Sequence, residues 1–239
     1  MIDNALPGFS RKAVFLEALK YSVPVLLGYI TLGIAFGLVA TGAGYPWWLA
    51  LSMSLWMFAG AGQFFAIGLF MAGTTLLEVC LIQLVINIRH SAYSFSMLNK
   101  FSGPFKPYLV FSLSDETFAL FSSMPVLPED KRHLFMAYVA ILDQSYWVSG
   151  TLLGALAGAL IPFDMKGINF ALTALFVVLM MEQIKRVKKP GVFIASAAAA
   201  LLGVYFLPGT ISLLAALALA LVLSAIVERN WLRGSESHE

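Results

Sequence analysis

Along the 239 residues, apolar stretches long enough for a bilayer alternate with short polar breaks. The apolar segments fall near 21–41, 47–71, 75–98, 107–123, 134–161, 167–184, 191–206 and 209–227. Between them stand "TGAGYP", "AGTT", "KFSGPFKP", "PVLPEDKRH", "PFDMKG", "KRVKKPG" and "LPGT". A membrane helix needs about 20 apolar residues, and lipid tolerates no unpaired backbone. The pattern predicts an all-α, polytopic membrane helix bundle of about eight transmembrane segments, or seven if the short, polar fourth segment does not cross fully. Three regions are expected: an N-terminal cytoplasmic or interfacial segment over 1–20, one transmembrane domain over 21–227, and a polar tail over 228–239. Within the first, "RKAVFLEALK" puts Val14, Phe15, Ala18 and Leu19 on one side, which suits a short interfacial helix leading into the first span. The apolar run from Tyr21 to Ala40 exceeds the roughly 7–15 residues of a signal-peptide core, so it reads as a retained span.

Composition fixes the class. Apolar residues make up 60% and charged residues 12%, against about 45–50% and 25% in a soluble domain. Mean hydropathy is +0.85. A net charge of +2 without a long basic tract gives no footing for nucleic acid. The basic residues serve as topology signals instead. Arg11, Lys12 and Lys20, Lys131 and Arg132, the 185–189 cluster, and Arg229 and Arg233 all suit the cytoplasmic side, which leaves both termini there. Lys100 and Lys106 conflict with this if the fourth segment crosses. Cys80 is the single cysteine, and His90, His133 and His238 lack ligand spacing, so no metal or other cofactor is expected. No P-loop, GxSxG or HExxH pattern supports ATP hydrolysis or a familiar hydrolase.

A faint internal repeat is present. "GIAFGLVA" at 33–40 and "GALAGALI" at 154–161 share small residues four apart, and "LALSMSLWMFAGAGQ" aligns loosely with "FALTALFVVLMMEQ". This divides the domain into halves 21–125 and 134–227, a plan in which a transport site lies between repeats. Gly33, Gly37, Gly150, Gly154 and Gly158 themselves read best as close helix packing, with a partner subunit as another use of those faces.

Four stretches carry polar chemistry inside apolar surroundings. In "MFAGAGQFFAIG", Gly60, Gly62 and Gln63 lie about 14 residues into the second segment, beyond the midplane at 1.5 Å per residue. Packing explains the glycines but not a buried amide, so a broken helix facing a cavity is expected near Gly60–Gln63. In "NIRHSAYS", Gln83, Asn87, His90 and Ser94 form one helical stripe, and Arg89, Tyr93 and Ser96 a second, with Glu78 three turns back on the latter. Arginine facing lipid costs several kcal/mol, so these stripes should face protein or water. In "SLSDETFALF", Asp115 and Glu116 point about 100° apart on a helix, which suits a cation or proton carrier better than a shared proton. Asp143, in "AILDQSYW", needs a proton or a cation, and Arg89 is the candidate partner. Glu182 and Gln183 read as interfacial, and Trp47, Trp48 and Trp231 as an aromatic belt.

In "FAGAGQFFAIG", "NIRHSAYS" and "LSDETFAL", in this order and spacing, the chain resembles the AzlC family of branched-chain amino acid exporters over roughly residues 10–227. The resemblance implies the large permease subunit of a bacterial inner-membrane exporter of valine, leucine and isoleucine, with methionine as a further candidate, driven by protons and working with a small hydrophobic AzlD-type partner. Its motif positions here are Gly60, Gly62, Gln63, Asn87, Arg89, His90, Asp115 and Glu116. Such a substrate needs an anion site (Arg89 or helix amides near Gly60 and Gly62), a carboxylate for its ammonium (Asp115, Glu116 or Asp143) and an apolar pocket near Trp56, Phe64, Phe65 and Tyr93. Asp115, Glu116 or His90 could couple export to proton entry. The alternatives are an uncoupled channel or structural membrane subunit and, less favoured, an intramembrane enzyme pairing His90 with Ser91 or Ser94.

Overall fold

The computed structural model describes residues 11–124 and 127–160, helix 190–206, and scattered positions between 167 and 223. The chain divides into two compact units, Met1–Ile67 with Asn87–Ile168, and Gly68–Ile86 with Asn169–Glu239. The described elements are all helical: α1 (Arg11–Gly42), α2 (Trp47–Trp56), α3 (Ala61–Met71), α4 (Leu76–Met97), α5 (Lys106–Phe111), α6 (Asp115–Ser123), α7 (Glu129–Leu160) and α8 (Pro190–Phe206). The protein is an all-α membrane protein. Much of the sixth and eighth expected segments, Glu182, Gln183, most of the 185–189 cluster, and Arg229, Trp231 and Arg233 lie outside the described residues.

In the second unit, Thr75 caps the start of α4. Its amide and hydroxyl both donate to Glu78 Oε2, at 3.0 and 2.8 Å, and Glu78 N returns a 3.4 Å bond to Thr75 Oγ1. This reciprocal box closes the first turn. It gives Glu78 a local role at its own helix end.

The first unit is built on α1 and α7, each 32 residues long. Residues 11–20 do not form a separate interfacial helix. They continue into α1, because Val14 and Ala18 are buried with Phe135, Met136, Val139 and Ala140. Farther along, glycines remove the side chains that would hold the helices apart. A Cβ on Gly33 would lie 2.7 Å from the Trp147 carbonyl oxygen, and one on Gly150 would lie 2.6 Å from that of Ile30. At Gly37 it would strike Thr151 backbone, at Gly154 Ile34 backbone, and at Gly158 the Thr41 hydroxyl. The two small-residue motifs therefore pack on each other, and within the chain these faces are occupied. The contacts pair Gly33 with Gly150 and Thr41 with Gly158, so α1 and α7 run parallel.

Among the described helices, α1 alone joins the length and hydropathy of a membrane span, with a best window of 2.1. The 22-residue α4 and 32-residue α7 contain the polar residues that the site uses, which lowers their hydropathy. The second and fourth apolar segments do not run straight. Ser54 and Gln63, nine positions apart, bond side chain to side chain at 3.1 Å, although a straight helix would separate them by roughly 13 Å. Tyr108 and Thr117 are equally spaced, yet both reach the 140–144 turn of α7. Each segment is a pair of half-helices that turns back on itself. A polar tip is more cheaply placed against α1 and α7 than carried through lipid. Turning back also resolves the charge conflict. Phe101 packs on Phe121, and Gly103 lies against the His133 ring. Tyr21 bonds Leu120 O and packs on Phe135. The loop bearing Lys100 and Lys106 thus shares one end of the unit with the starts of α1 and α7, where Lys20 and Lys131 lie.

Candidate functional site

The α2–α3 turn lies over Met57–Gly60, where Phe58 (φ 40°) and Gly60 (φ 43°) both adopt left-handed backbone. A Cβ on Gly60 would meet nothing within 4 Å, so conformation rather than crowding favours glycine there. Helix resumes at Ala61, with Gly62 N and Gln63 N bonded to Ala59 O and Gly60 O at 2.8 and 3.0 Å. Gln63 is wholly buried. Its Nε2 donates to Ser54 Oγ, which bonds Thr151 Oγ1 of α7 at 2.8 Å. Phe64 packs edge-on against Phe36 of α1.

The α5–α6 turn uses capping instead. Ser112 and Ser114 are buried, and Ser114 is the N-cap of α6, accepting a 3.0 Å bond from Thr117 N. Asp115 and Glu116 occupy the first turn, where carboxylates complement the helix dipole. They diverge as their spacing predicts. Asp115 Oδ2 meets Arg89 NH1 of α4 at 2.6 Å, with Asp115 mostly buried and Arg89 about a third exposed. Exposed Glu116 accepts a 2.8 Å bond from Tyr29 of α1.

Tyr29 links the two turns. Its hydroxyl also bonds Ser114 Oγ at 2.5 Å, and its ring packs edge-on against Phe58 and Trp147. Gln144 makes a second link, accepting from Tyr108 at 2.7 Å and donating to Leu55 O at 2.9 Å. Asp143, one position away, is wholly buried and accepts a 2.8 Å bond from Thr117. The expected Arg89 partnership does not form. Arg89 pairs with Asp115, and among the described residues no basic side chain reaches Asp143.

Several buried polar atoms have no hydrogen-bond partner among the described residues: Gln63 Oε1, Arg89 Nε, Asp115 Oδ1, Asp143 Oδ1 and Trp147 Nε1. Native interiors satisfy nearly all such atoms, so each marks a place that polar ligand or water can complete. Donors and acceptors are both present, which suits a zwitterion.

Other expected residues lie at the margin. His90 is half-buried, with its ring 6.1 Å from Tyr93, and Tyr93 stacks on Phe118 at 4.4 Å. Asn87 is half-buried on the same helix. Ser94 donates to the backbone oxygen of His90 and not to its imidazole, so this pair makes no nucleophile–base dyad. Trp56, at 81% exposure, leaves the expected apolar pocket. Sequence reasoning missed Tyr29, Thr117, Trp147 and Thr151. The last two continue the Asp143 face of α7 at helical spacing, a usable signal, whereas Tyr29 sits alone in an apolar run.

The family model described as AzlC protein matches residues 24–161. A membrane protein of Helicobacter pylori is 39% identical over 81% of this chain and 88% of its own length. The branched-chain amino acid transport protein AzlC of Bacillus subtilis is 33% identical over 74% of this chain and 70% of its own. The inner membrane protein YgaZ of Escherichia coli is 28% identical over 92% of both. No solved structure matches.

Proposed function

The chain belongs to the AzlC family and is a membrane transport protein; on that premise we propose that it exports branched-chain amino acids across the bacterial inner membrane. Valine, leucine and isoleucine are the substrates, with methionine as a further one, and proton entry drives export. A small AzlD-type subunit is the partner, and both termini are cytoplasmic. The observation that carries this reading is the set of buried, unpartnered donors and acceptors on the helices and turns of the first unit.

Arg89 Nε and Trp147 Nε1 supply donors for a carboxylate, and Asp143 Oδ1 and Gln63 Oε1 supply acceptors for an ammonium. Half-buried Tyr93 offers apolar surface for an aliphatic tail, with Phe58 and Phe64 buried at the first turn. Gly60 gives the first turn its left-handed backbone, Gly62 opens α3 beside it, and Asn87 adds an amide on the α4 side. The two half-helices α3 and α6 start at this point, and helix starts favour negative groups. Asp115 sets the Arg89 guanidinium through its ion pair. For protons, Glu116 is the favoured entry group, since Asp115 is engaged by Arg89 and His90 packs beside Tyr93. Protonation that favours one facing of the carrier couples the gradient to export.

Proteoliposome counterflow of labelled leucine, with and without a pH gradient and with and without the co-expressed small subunit, tests this. Leucine exchange that quickens with an inward proton gradient is expected. No exchange under any of these conditions rejects the exporter reading, and exchange indifferent to the gradient leaves an uncoupled channel.

A further inference from the structure

Five side chains form one continuous hydrogen-bonded chain through the first unit. Tyr29 OH lies 2.8 Å from Glu116 Oε2 and 2.5 Å from Ser114 Oγ. Ser114 Oγ donates to Thr117 Oγ1 at 3.0 Å, and Thr117 Oγ1 donates to Asp143 Oδ2 at 2.8 Å. One end, Glu116, is exposed, and the other, Asp143, is wholly buried. Ser114 and Thr117 each donate toward Asp143, while the Tyr29 proton has both Ser114 and Glu116 as acceptors.

We propose that Tyr29, Ser114 and Thr117 are a proton relay between Glu116 and Asp143, a proposal that rests on the proton-coupled export argued above. Glu116 takes a proton from water and becomes a donor to the Tyr29 oxygen. Tyr29 passes its own proton to Ser114, Ser114 passes one to Thr117, and Thr117 passes one to Asp143 Oδ2. Each O–H bond that breaks is matched by one that forms. Glu116 returns to carboxylate, Asp143 becomes neutral, and no oxidant or cofactor is required.

The branched contact of Tyr29 supplies the reset. Its single proton has two acceptors, Ser114 in the conducting orientation and Glu116 in the waiting one. A charged Asp143 costs several kcal/mol without a cation, so the delivered proton changes the energy of this buried site sharply. Asp143 Oδ1 remains for the substrate ammonium when the proton has left. The other ionisable groups on the packed elements are engaged elsewhere: Arg89 with Asp115, Tyr108 with Gln144, and Tyr146 with Ser22. His90 stands beside Tyr93 on α4.

The test uses the full chain in proteoliposomes, reading labelled-leucine counterflow and, separately, proton uptake by an enclosed pH dye during leucine export. Tyr29→Phe and Thr117→Val each remove one hydroxyl at nearly constant volume and leave the Ser114 cap in place. Leucine-linked proton uptake is expected to fall about tenfold or more, while counterflow, which needs no net proton, stays within about twofold. Thr117→Ser should restore uptake. Proton uptake unchanged in both variants overturns the relay and leaves proton coupling standing. Loss of counterflow together with uptake gives the hydroxyls a structural task and also overturns it. A wild-type protein whose flux ignores the pH gradient overturns the relay and the coupling together, and absent wild-type counterflow removes the exporter reading beneath both.

Discussion

The two helical turns solve one geometric problem with different chemistry. In α2–α3 the backbone does the work, with two residues in left-handed conformation and apolar neighbours on either side. In α5–α6 the turn has no left-handed residue, and Ser112 and Ser114 close it with side-chain bonds. The first turn is uncharged and holds an amide, Gln63. The second is acidic and is tied to α1, α4 and α7 through Tyr29, Arg89 and Asp143. A backbone turn gives shape without ionisable groups, whereas a capped turn brings ionisable groups with it. The division assigns shape and contact to the first half of the site and charge and protons to the second.

The largest expected effect concerns direction and is all-or-none. If α5–α6 turns back, cysteines replacing Lys100, Ser122 and Lys131 in a Cys80→Ser background react with an impermeant maleimide from one face. A cysteine replacing Ala43, at the far end of α1, reacts only from the other. Labelling of the first three from different faces would restore a full crossing and remove the comparison.

Transport itself should be lost next. Arg89→Leu is expected to reduce leucine exchange to background while the protein still inserts, because Asp115 loses its 2.6 Å partner and the site loses its guanidinium. Adding Asp115→Leu replaces the pair by apolar groups, a change that often preserves stability. Exchange that returns in the double variant would reduce the pair to an anchor.

Much of this was legible in advance, and the reasons differ between the turns. Gln63 beside Gly60 and Gly62 announced the first break, because packing accounts for the glycines but not for a buried amide. The second break hid inside a segment that reads as one polar helix. Its signal was Ser114 followed by Asp115 and Glu116, an N-cap with an acidic first turn. The misplaced charges of Lys100 and Lys106 were the other sign. Pairing Asp143 with Arg89 failed because periodicity within single helices says nothing of which carboxylate lies nearest across them. Tyr29 was illegible for the same reason, since its importance comes from what α6 and α7 bring to it.

A milder change separates conformation from crowding at the first turn. Gly60 has space for a Cβ but a φ of 43°. Gly60→Val should lower stability by about 2 kcal/mol, since left-handed backbone is costly for ordinary residues and worse for β-branched ones. Gly60→Asn should cost much less, because asparagine visits that region readily. Thermal melting followed by size-exclusion chromatography in detergent reads the difference. Equal losses would point to a close neighbour at Gly60 and deny that its backbone angle sets the turn.

The smallest effect tests the second turn on the same terms. Removing the Ser114 hydroxyl by Ser114→Ala deprives Thr117 N of its cap, at a cost of about 1 kcal/mol. Ser114→Asn supplies an amide oxygen that can cap α6, so stability should recover. That amide cannot hand on a proton as a hydroxyl does, so leucine-linked proton uptake should stay low. Stability and proton uptake then part company at one residue, with Ala losing both and Asn losing only uptake. If both measurements rise and fall together across Ser, Asn and Ala, capping alone explains Ser114. The charged turn would then differ from the glycine turn in how it holds its shape and in nothing more.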